Sequence, residues 1–309
     1  MTKVYIARGS PLAATQRVLE MSRFKELIKD KKKIVIKPNL VLARRPEEGI
    51  TTDVRVVEAI IRNIPDDKEV FIIECSSEAE EALELNGYMD LEKKYGVKVI
   101  DGDTEFVEVN IDNYLALERI RVAKIVLECD FLISVAKLKV HSIAKITATL
   151  KNLMGLCPKP DRLKIHSYLP HGLIDLLSVR MPDFGVIDGI IANEIDENIP
   201  HPVEMGVVLA GRDCVALDHV ASHLIGVQNV HYIRLAYLKG LGSIHNIEII
   251  GIDIESVKRR LKTSSFNLRS MSQKGITKFL MKIKLFEWYN LKVLPIIIKF
   301  KKTWRLIGC

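Results

Sequence analysis

The sequence predicts an α/β fold, with a parallel-rich sheet that helices cover on both faces and a basic helical segment after it. Short β-branched runs alternate along the chain with stretches of helical periodicity, which is the pattern of α/β proteins. The runs are almost continuously apolar, as expected for strands that are buried on both faces. Hydrophobic residues make up 48% and charged residues 28% of the 309 residues, a composition typical of a soluble globular protein.

Eight runs are predicted to be strands because they are short, apolar and rich in β-branched residues. They are residues 3–7, 33–37, 69–74, 97–100, 131–137, 184–188, 205–210 and 247–251. Two helices are predicted at 53–63 and 213–225, where apolar residues recur at helical spacing. A third helix is predicted after His141, with Lys145, Ala148 and Asn152 on one face and Gly155 at its end.

Charge divides the chain into a body, residues 1–265, and a basic amphipathic tail, residues 266–309. From residue 267 onward there are ten Lys or Arg against one acidic residue, Glu287, a net charge of +9, so that the preceding residues sum to −2 of the total of +7. Lysines interleaved with aromatic and aliphatic residues suit an interfacial membrane helix, a nucleic-acid arm or a helix docked on the body. Because the tail is so rich in apolar residues, we expect membrane contact through residues 270–309 in preference to nucleic acid.

Other sequence features argue against secretion, membrane spans and metal centres. Met1 is followed almost directly by "KVYIA", without the longer apolar region and the small-residue cleavage site of a signal peptide, and no uncharged apolar run reaches the roughly 18 residues of a membrane span. The five cysteines are far apart, so we expect free thiols in a reducing cytoplasm and no cysteine-bound iron–sulfur cluster. His219 and His223 have the i, i+4 spacing of metal ligands, but no third ligand is evident, and we predict no metal site.

Two segments place cations and polar side chains at the ends of predicted strands. In "FLISVAKLKVH", Lys137, Lys139 and His141 occupy alternate positions and therefore share one face of an extended segment. In "KIVIKPN", Lys37 and Asn39 follow a strand end, where open α/β sheets bind ligands. Together the two segments predict a cleft that binds an anion.

The loop before the helix at 53–63 adds hydroxyl groups to this prediction. Thr51 and Thr52 precede that helix, and Thr52 or Asp53 would cap it and leave backbone N–H groups at its positive end. A proline-punctuated loop with an ordinary helix cap remains the alternative interpretation.

Several sequence blocks resemble those of the domain of unknown function family 362. In chain order they are "IKPNLV", "TTDVRVVEAI", "VAKLKVHSIAKITATLKNLMG", His166, "VIDGIIANE" and "GRDCVALDHVASHLIG", over roughly residues 33–240. The resemblance implies a shared α/β domain, whose activity the family does not define. Many members carry a ferredoxin-like iron–sulfur segment, for which this sequence has no cysteines. The domain is also distantly similar to the catalytic region of nickel-pincer lactate racemase, which uses acid–base chemistry on a 2-hydroxy acid.

The family pattern implies a set of motif positions with cationic and acidic members. They are Lys37, Asn39, Thr51, Thr52, Asp53, Lys137, Lys139, His141, Lys151, Asn152, Gly155, His166, Asp188, Glu194, Asp213 and Asp218. Asp188 and Glu194 would bind a divalent cation or ligand hydroxyl groups, or serve turns and caps, and Asp213 is expected to be an N-cap. After Glu194 a glycine-rich family segment is replaced by "EIDENIPHP".

Two classes of function stay open. The first is an enzyme that binds a small anionic ligand, a carboxylate or phosphate metabolite. Its catalytic groups would be His141, His166 and Lys139, and its ligand-binding residues Lys37, Asn39, Thr51, Thr52, Lys137, Lys151, Asn152 and Glu194. The second is a non-catalytic binding module that the basic tail brings to a membrane surface or to nucleic acid. The sequence defines neither the reaction nor a cofactor.

Overall fold

The computed structural model describes residues 1–102 and 104–263, and residues 1–263 form one compact unit. The predicted basic helical tail lies outside the described residues, and the division at residue 265 therefore stays a prediction. In the part that is described, no helix is both long enough and apolar enough to cross a membrane.

Nine of the strands in the described residues form one mixed sheet, and two more form a separate antiparallel pair. The strands of the large sheet are β1 (Thr2–Arg8), β2 (Lys33–Pro38), β3 (Glu69–Ile73), β4 (Lys98–Ile100), β7 (Phe131–His141), β8 (Lys145–Thr147), β9 (Phe184–Asn193), β10 (Pro202–Gly211) and β11 (Ile247–Gly251). The separate pair is β5 (Phe106–Asn110) and β6 (Arg119–Ala123). All eight predicted strands are present, and β7 and β9 continue beyond their predicted ends.

The strand order is β11-β1-β10-β9-β7-β2-β3-β4, with β8 beside the end of β7. Five neighbouring pairs are parallel: β1–β11, β9–β7, β7–β2, β2–β3 and β3–β4. Strand β10 is antiparallel to both of its neighbours, and β8 is antiparallel to β7. The prediction of a parallel-rich sheet is confirmed. Because β2, β3 and β7 are parallel, their carboxyl ends meet at one edge.

Helices cover both faces of the sheet, as predicted. One face carries α1 (Pro11–Met21), α2 (Phe24–Leu27), α3 (Val54–Ile61), α4 (Ala79–Leu85) and α5 (Tyr88–Tyr95). The other carries α6 (Lys124–Glu128), α7 (Thr149–Asn152), α8 (Lys159–Ser167), α9 (His171–Val179), α10 (Cys214–Leu224) and α11 (His231–Leu238). The buried apolar side chains form two clusters, one per face, and alternate strand residues divide between them: Ile34 and Ile36 belong to one cluster and Val35 to the other.

The prediction of a helix directly after His141 is wrong for the first half of that segment. Residues 145–147 form β8, which runs back along β7 and pairs Ile146 with Val140. Lys145 has a φ of 70°, a left-handed conformation that suits a chain reversal and not the start of a right-handed helix. The β-branched pair Ile146–Thr147 then favours a strand.

Helix α7 begins only at Thr149, and a buried carboxylate holds its first turn. Asp218 accepts hydrogen bonds from the N–H groups of Thr149 (2.8 Å) and Leu150 (3.1 Å). These N–H groups have no partner inside the helix, so Asp218 replaces a cap residue. Gly155 does not end α7 itself, because it lies in the 3₁₀ turn Leu153–Leu156 that follows.

The two helix caps that the sequence suggested are present. Asp53 accepts a hydrogen bond from the N–H of Arg55 at the start of α3, and Asp213 accepts from two N–H groups at the start of α10. Carboxylates at these positions also lie at the positive end of each helix dipole.

Candidate functional site

A pocket of about 200 Å³ lies where β2 ends, between that strand and helices α7 and α8. Four separate segments line it: the end of β2, the loop after β3, the β8–α7 segment and one face of α8. We call it the edge pocket. The polar residues in its lining are Lys37, Asn39, Glu74, Ser76, Ser77, Thr147, Lys151, Asn152, Lys159, Arg162 and His166.

At the base of the edge pocket Lys37 and Glu74 form a buried ion pair. The ammonium group of Lys37 donates to Glu74 Oε2 (3.0 Å), Asn152 Oδ1 (3.0 Å) and the carbonyl of Pro38 (2.5 Å). Glu74 also accepts from the backbone N–H groups of Leu40 and Ser76. A buried ion pair is tolerated when further hydrogen bonds satisfy both partners, and here they do. The charge of Lys37 is therefore neutralised inside the protein.

The ion pair sets the orientation of two amide side chains. Because an ammonium group only donates, Asn152 presents its oxygen to Lys37, and its nitrogen donates to the carbonyl of Lys37 (3.0 Å) and to Ser134 Oγ (3.2 Å). Asn39 then donates through Nδ2 to the same Asn152 oxygen, at 3.0 Å. The remaining atom, Asn39 Oδ1, is buried without a hydrogen-bond partner.

Unsatisfied buried oxygens are concentrated at this pocket. Across residues 1–102 and 104–263, three buried side-chain atoms lack a partner, those of Asn39, Asn86 and Thr147. Two of these residues, Asn39 and Thr147, line the edge pocket, and they are 7% and 2% exposed. Buried polar atoms in proteins nearly always have a partner, so these two atoms are exceptions that lie in residues of the same pocket.

Positive charge dominates the lining of the edge pocket. Lys151, Lys159 and Arg162 join Lys37, and Glu74 is the acidic residue among the described lining residues. Burial lowers the pKa of Lys151 to about 8, and in the described part of the chain its side chain forms no hydrogen bond or ion pair. Arg162 donates to the carbonyls of Cys75 and Cys157. The pocket is thus electrostatically suited to an anion.

Of the two histidines proposed as catalytic, His166 lines the edge pocket and His141 does not. Their rings stack with centroids 5.9 Å apart. Burial, together with nearby Lys151 and Arg162, lowers the pKa of His166 to about 3, so its ring is neutral at pH 7. His141 accepts through Nδ1 from two backbone N–H groups, and its Nε2 lies 3.6 Å from Glu197 Oε1.

Lys137 lies on the other side of the sheet from the edge pocket. Its ammonium group is 3.0 Å from Asp188 Oδ2, and the same oxygen accepts from the N–H of Asp53 at 2.8 Å. Asp188 also accepts from the N–H of Ile190. These contacts tie β7, β9 and the start of α3 together, which gives Lys137 and Asp188 a structural role.

Lys139 is also buried and does not line the edge pocket. It donates to the carbonyls of Ile50 (3.0 Å) and Glu197 (3.3 Å). Burial first, and then the positive charge of Lys151, lower its pKa to about 7. The cationic side chains that the sequence grouped into one cleft are therefore divided between two places.

The remaining predicted ligand-binding residues hold loops in this structure. Thr52 Oγ1 donates to the carbonyl of Val135 and accepts from the N–H of Asn39, and Thr51 Oγ1 donates to the carbonyl of Arg44. Glu194 accepts from the N–H of Lys262. None of these three side chains lines the edge pocket, and their contact with a ligand stays a prediction.

Six polar lining residues were missed in the sequence: Glu74, Ser76, Ser77, Thr147, Lys159 and Arg162. Glu74 directly follows β3 at the same sheet edge as Lys37, which is a signal that could have been used. Lys159, Arg162 and His166 are spaced i, i+3 and i+7, so a helix prediction for 159–167 would have placed them on one face. Within the described residues, no group of three or more His, Cys, Asp or Glu is arranged to hold a metal ion.

The chain belongs to the family described as Domain of unknown function (DUF362), whose model matches residues 34–223. It is 24% identical over 253 residues to a thylakoid-associated protein of Synechocystis sp., covering 76% of each chain. Its structure is similar to the lactate racemase apoprotein of Thermoanaerobacterium thermosaccharolyticum, with a TM-score of 0.43 and 15% identity over 69% of this chain. The chain spans 54% of that protein's length. The structure is also similar to that of a Thermotoga maritima protein, with a TM-score of 0.37 and 14% identity. The match covers 80% of this chain and 62% of the Thermotoga maritima chain.

Proposed function

We propose that this protein binds a small anionic ligand, a carboxylate or phosphate metabolite, in the edge pocket. The observation that carries the proposal is the ammonium group of Lys151, which is partly buried and forms no hydrogen bond or ion pair in the described part of the chain. It stands among lining residues with an excess of positive charge.

Desolvation of a charge without a partner is unfavourable, and a ligand anion would offset it. Lys37 does not fill this role, since its three donors are already used by Glu74, Asn152 and the chain. Lys159 and Arg162 add charge from α8, on the other side of the pocket from β2. The volume of about 200 Å³ is below the roughly 300–1,000 Å³ of drug-sized sites, which favours a small metabolite.

If the bound anion is a substrate, Lys151 and His166 are the groups placed to transfer a proton. An amine with a pKa of about 8 is close to the pKa that general acid–base catalysis needs near neutral pH. His166, neutral and beside Lys151, would accept a proton more readily once an anion raises its pKa. These two replace His141 and Lys139 as the proposed catalytic pair.

Calorimetric titration of the full chain with phosphate and with small carboxylates tests the proposal. We expect one anion per chain, and a loss of about tenfold or more in affinity for Lys151→Met, because removal of a charge-assisted bond costs on the order of 1.5–3 kcal/mol. Lys145→Met is the matched control, since Lys145 lies outside the edge pocket and donates to the carbonyl of Gln228. Equal affinity in all three proteins would contradict the proposal.

We also propose that residues 270–309 bring the protein to a membrane surface. The support is the net charge of +9 on residues 267–309 and the name of the relative in Synechocystis sp., a thylakoid-associated protein. Each Lys or Arg near an anionic leaflet contributes roughly 1 kcal/mol, so ten cations would suffice without a membrane span.

Cosedimentation with anionic and with neutral liposomes tests this second proposal, for the full chain and for a form that ends at Ser270. The full chain should pellet with anionic liposomes at low salt and should be released as salt rises, because the Debye length falls from about 10 Å at 0.1 M to about 3 Å at 1 M. If neither form pellets at low salt, the proposal is wrong.

A further inference from the structure

We infer that a second pocket binds an organic anion of the sulfate or phosphate type, and that it does so when the three histidines in its lining are protonated. This pocket lies between the second half of α10, helix α11 and the loop before β11. We call it the histidine pocket. Its volume is about 440 Å³, within the roughly 300–1,000 Å³ of small-molecule sites. It is separate from the edge pocket, since no described lining residue belongs to both.

The titratable groups of the histidine pocket favour an anion. They are His219 and His223 on α10, Arg234 and Tyr237 on α11, and His245 in the loop before β11. No Asp or Glu is among the described residues of the lining. Arg234 is exposed, and its side chain forms no hydrogen bond or ion pair in the described part of the chain. Protonation of the three histidines therefore adds to a charge that has no counter-ion in this lining.

The histidines lie close enough to oppose one another's protonation. The ring centroids of His219 and His223 are 4.5 Å apart, and the ring of His245 lies against Tyr237 at 5.2 Å. Burial first, and then the charges of His223 and His245, lower the pKa of His219. A bound anion offsets this repulsion and favours the protonated rings. Proton uptake and anion binding therefore promote each other.

The rest of the lining favours an anion with an apolar part. Val230, Ile233, Leu238 and Ile244 contribute apolar surface beside the Tyr237 ring. Leu238 is 66% exposed, so an inorganic anion at the histidines would leave this side chain in water. An aromatic or aliphatic group attached to the anion would cover it. Organic sulfates and phosphates combine both features.

Nuclear magnetic resonance of the imidazole rings tests the inference on the full chain. The sequence has eight histidines, and all of them lie in the described residues. The probes are phenyl sulfate and inorganic sulfate, whose charges do not change between pH 5 and pH 8. EDTA is present throughout, because histidines at i, i+4 can also bind trace metal.

Phenyl sulfate should move the titration midpoints of His219, His223 and His245 to higher pH. A shift of about one pH unit corresponds to roughly tenfold tighter binding to the protonated form. The midpoint of His171, which is exposed and lines neither pocket, should stay unchanged. Inorganic sulfate should need a higher concentration for the same shift, because it leaves the apolar lining uncovered.

Two variants assign the charge recognition to the pocket. Arg234→Met should weaken phenyl sulfate binding at pH 5.5 about tenfold, since a charge-assisted hydrogen bond contributes on the order of 1.5–3 kcal/mol. Lys239→Met is the matched control. Lys239 is an exposed cation directly after α11 that does not line the pocket, and its loss should change the affinity little.

Three results would overturn the inference. The first is a set of midpoints for His219, His223 and His245 that phenyl sulfate leaves unchanged. The second is an equal shift at His171, and the third is an equal loss in Arg234→Met and Lys239→Met, since both show a general effect of charge and no site. Equal concentrations of the two probes for half-maximal shift would overturn the apolar part of the ligand. Binding at the edge pocket is reported separately, by the signal of His166.

Discussion

The ammonium group of Lys37 lies 3.0 Å from Glu74 Oε2, and the two side chains are 1% and 2% exposed. One pair thus joins the ends of two parallel strands, β2 and β3, and sets the direction of the Asn152 and Asn39 amides. The orientation of these two amides in the lining of the edge pocket therefore depends on this contact.

Glu74→Gln should destabilise the protein by about 3–5 kcal/mol, because it leaves the Lys37 charge buried and uncompensated. The double variant Lys37→Met, Glu74→Leu should recover part of this loss, since it removes both charges. Urea denaturation measures the free energy of unfolding. Glu105→Gln is the control, because it breaks the exposed pair with Lys124 at 2.9 Å and should cost much less than loss of the buried pair. Equal losses for Glu74 and Glu105 would contradict the argument.

Gly155→Ala should destabilise the protein and weaken anion binding. A Cβ at this position would lie 2.6 Å from Glu74 Oε1 and 2.7 Å from Lys37 Cε, so the ion pair would have to move. Overpacking of this kind costs about 1–3 kcal/mol. Thermal denaturation and anion titration of the variant test both effects. Wild-type stability together with wild-type affinity would show that the pair tolerates the methyl group.

Lys137→Met should destabilise the fold without changing anion affinity per folded molecule. The substitution leaves Asp188 buried with two backbone donors but no counter-ion, a change worth about 3–5 kcal/mol. Urea denaturation and calorimetry on the folded fraction separate the two quantities. A tenfold loss of affinity in folded Lys137→Met would return Lys137 to the ligand site.

The stability of the wild-type protein should rise between pH 7 and pH 10 through Lys139. Its pKa is lowered from 10.5 to about 7 in the folded chain, so in this range the unfolded chain binds the extra proton. Stability increases with pH wherever the unfolded state binds more protons, at a rate of at most about 1.4 kcal/mol per pH unit for one group. Urea denaturation at several pH values should show a smaller slope for Lys139→Met. An unchanged slope would mean that Lys139 is charged in the folded state.

Anion affinity should fall as pH rises above about 8, because Lys151, with a pKa of about 8, loses its proton and its charge. A bound anion favours the protonated form and moves the decline to higher pH. Titration with glycolate between pH 6 and pH 10 is suitable, since this ligand stays ionised throughout. Lys151→Met should bind weakly with little pH dependence over this range. Constant wild-type affinity up to pH 10 would contradict the role of Lys151.

The sequence predicted the sheet well because strand and helix periodicities are local properties. It grouped Lys37 with Lys137 because both follow apolar strand residues near a carboxyl end. In the structure Lys37 is paired with Ser134 on β7, so these two side chains lie on the same face of the sheet. Lys137 follows Ser134 on β7 at an odd separation, 137 − 134 = 3 residues. Side chains an odd number apart on a strand point to opposite faces. The register between two strands depends on tertiary packing, so this division was not available from the pattern.

The helix after His141 was misread for a similar reason. Lys145, Ala148 and Asn152 match helical spacing, but Lys145 adopts a positive φ that no periodicity reveals. Lys151 and Asn152 nevertheless line the same pocket as Lys37, because this placement does not depend on how α7 begins. Glu74 was missed because its role is to pair with Lys37, which lies 37 positions away in the sequence.

The position of β1 in the sheet affects how the chain folds during synthesis. In the part of the chain that the structure describes, its two neighbours are β10 and β11, which lie between residues 202 and 251. During synthesis the first strand therefore leaves the ribosome long before either neighbour exists. At about 5–20 residues per second, β1 waits on the order of ten seconds or more for its place in the sheet. Until then its backbone edges are open to a chaperone or to another nascent chain.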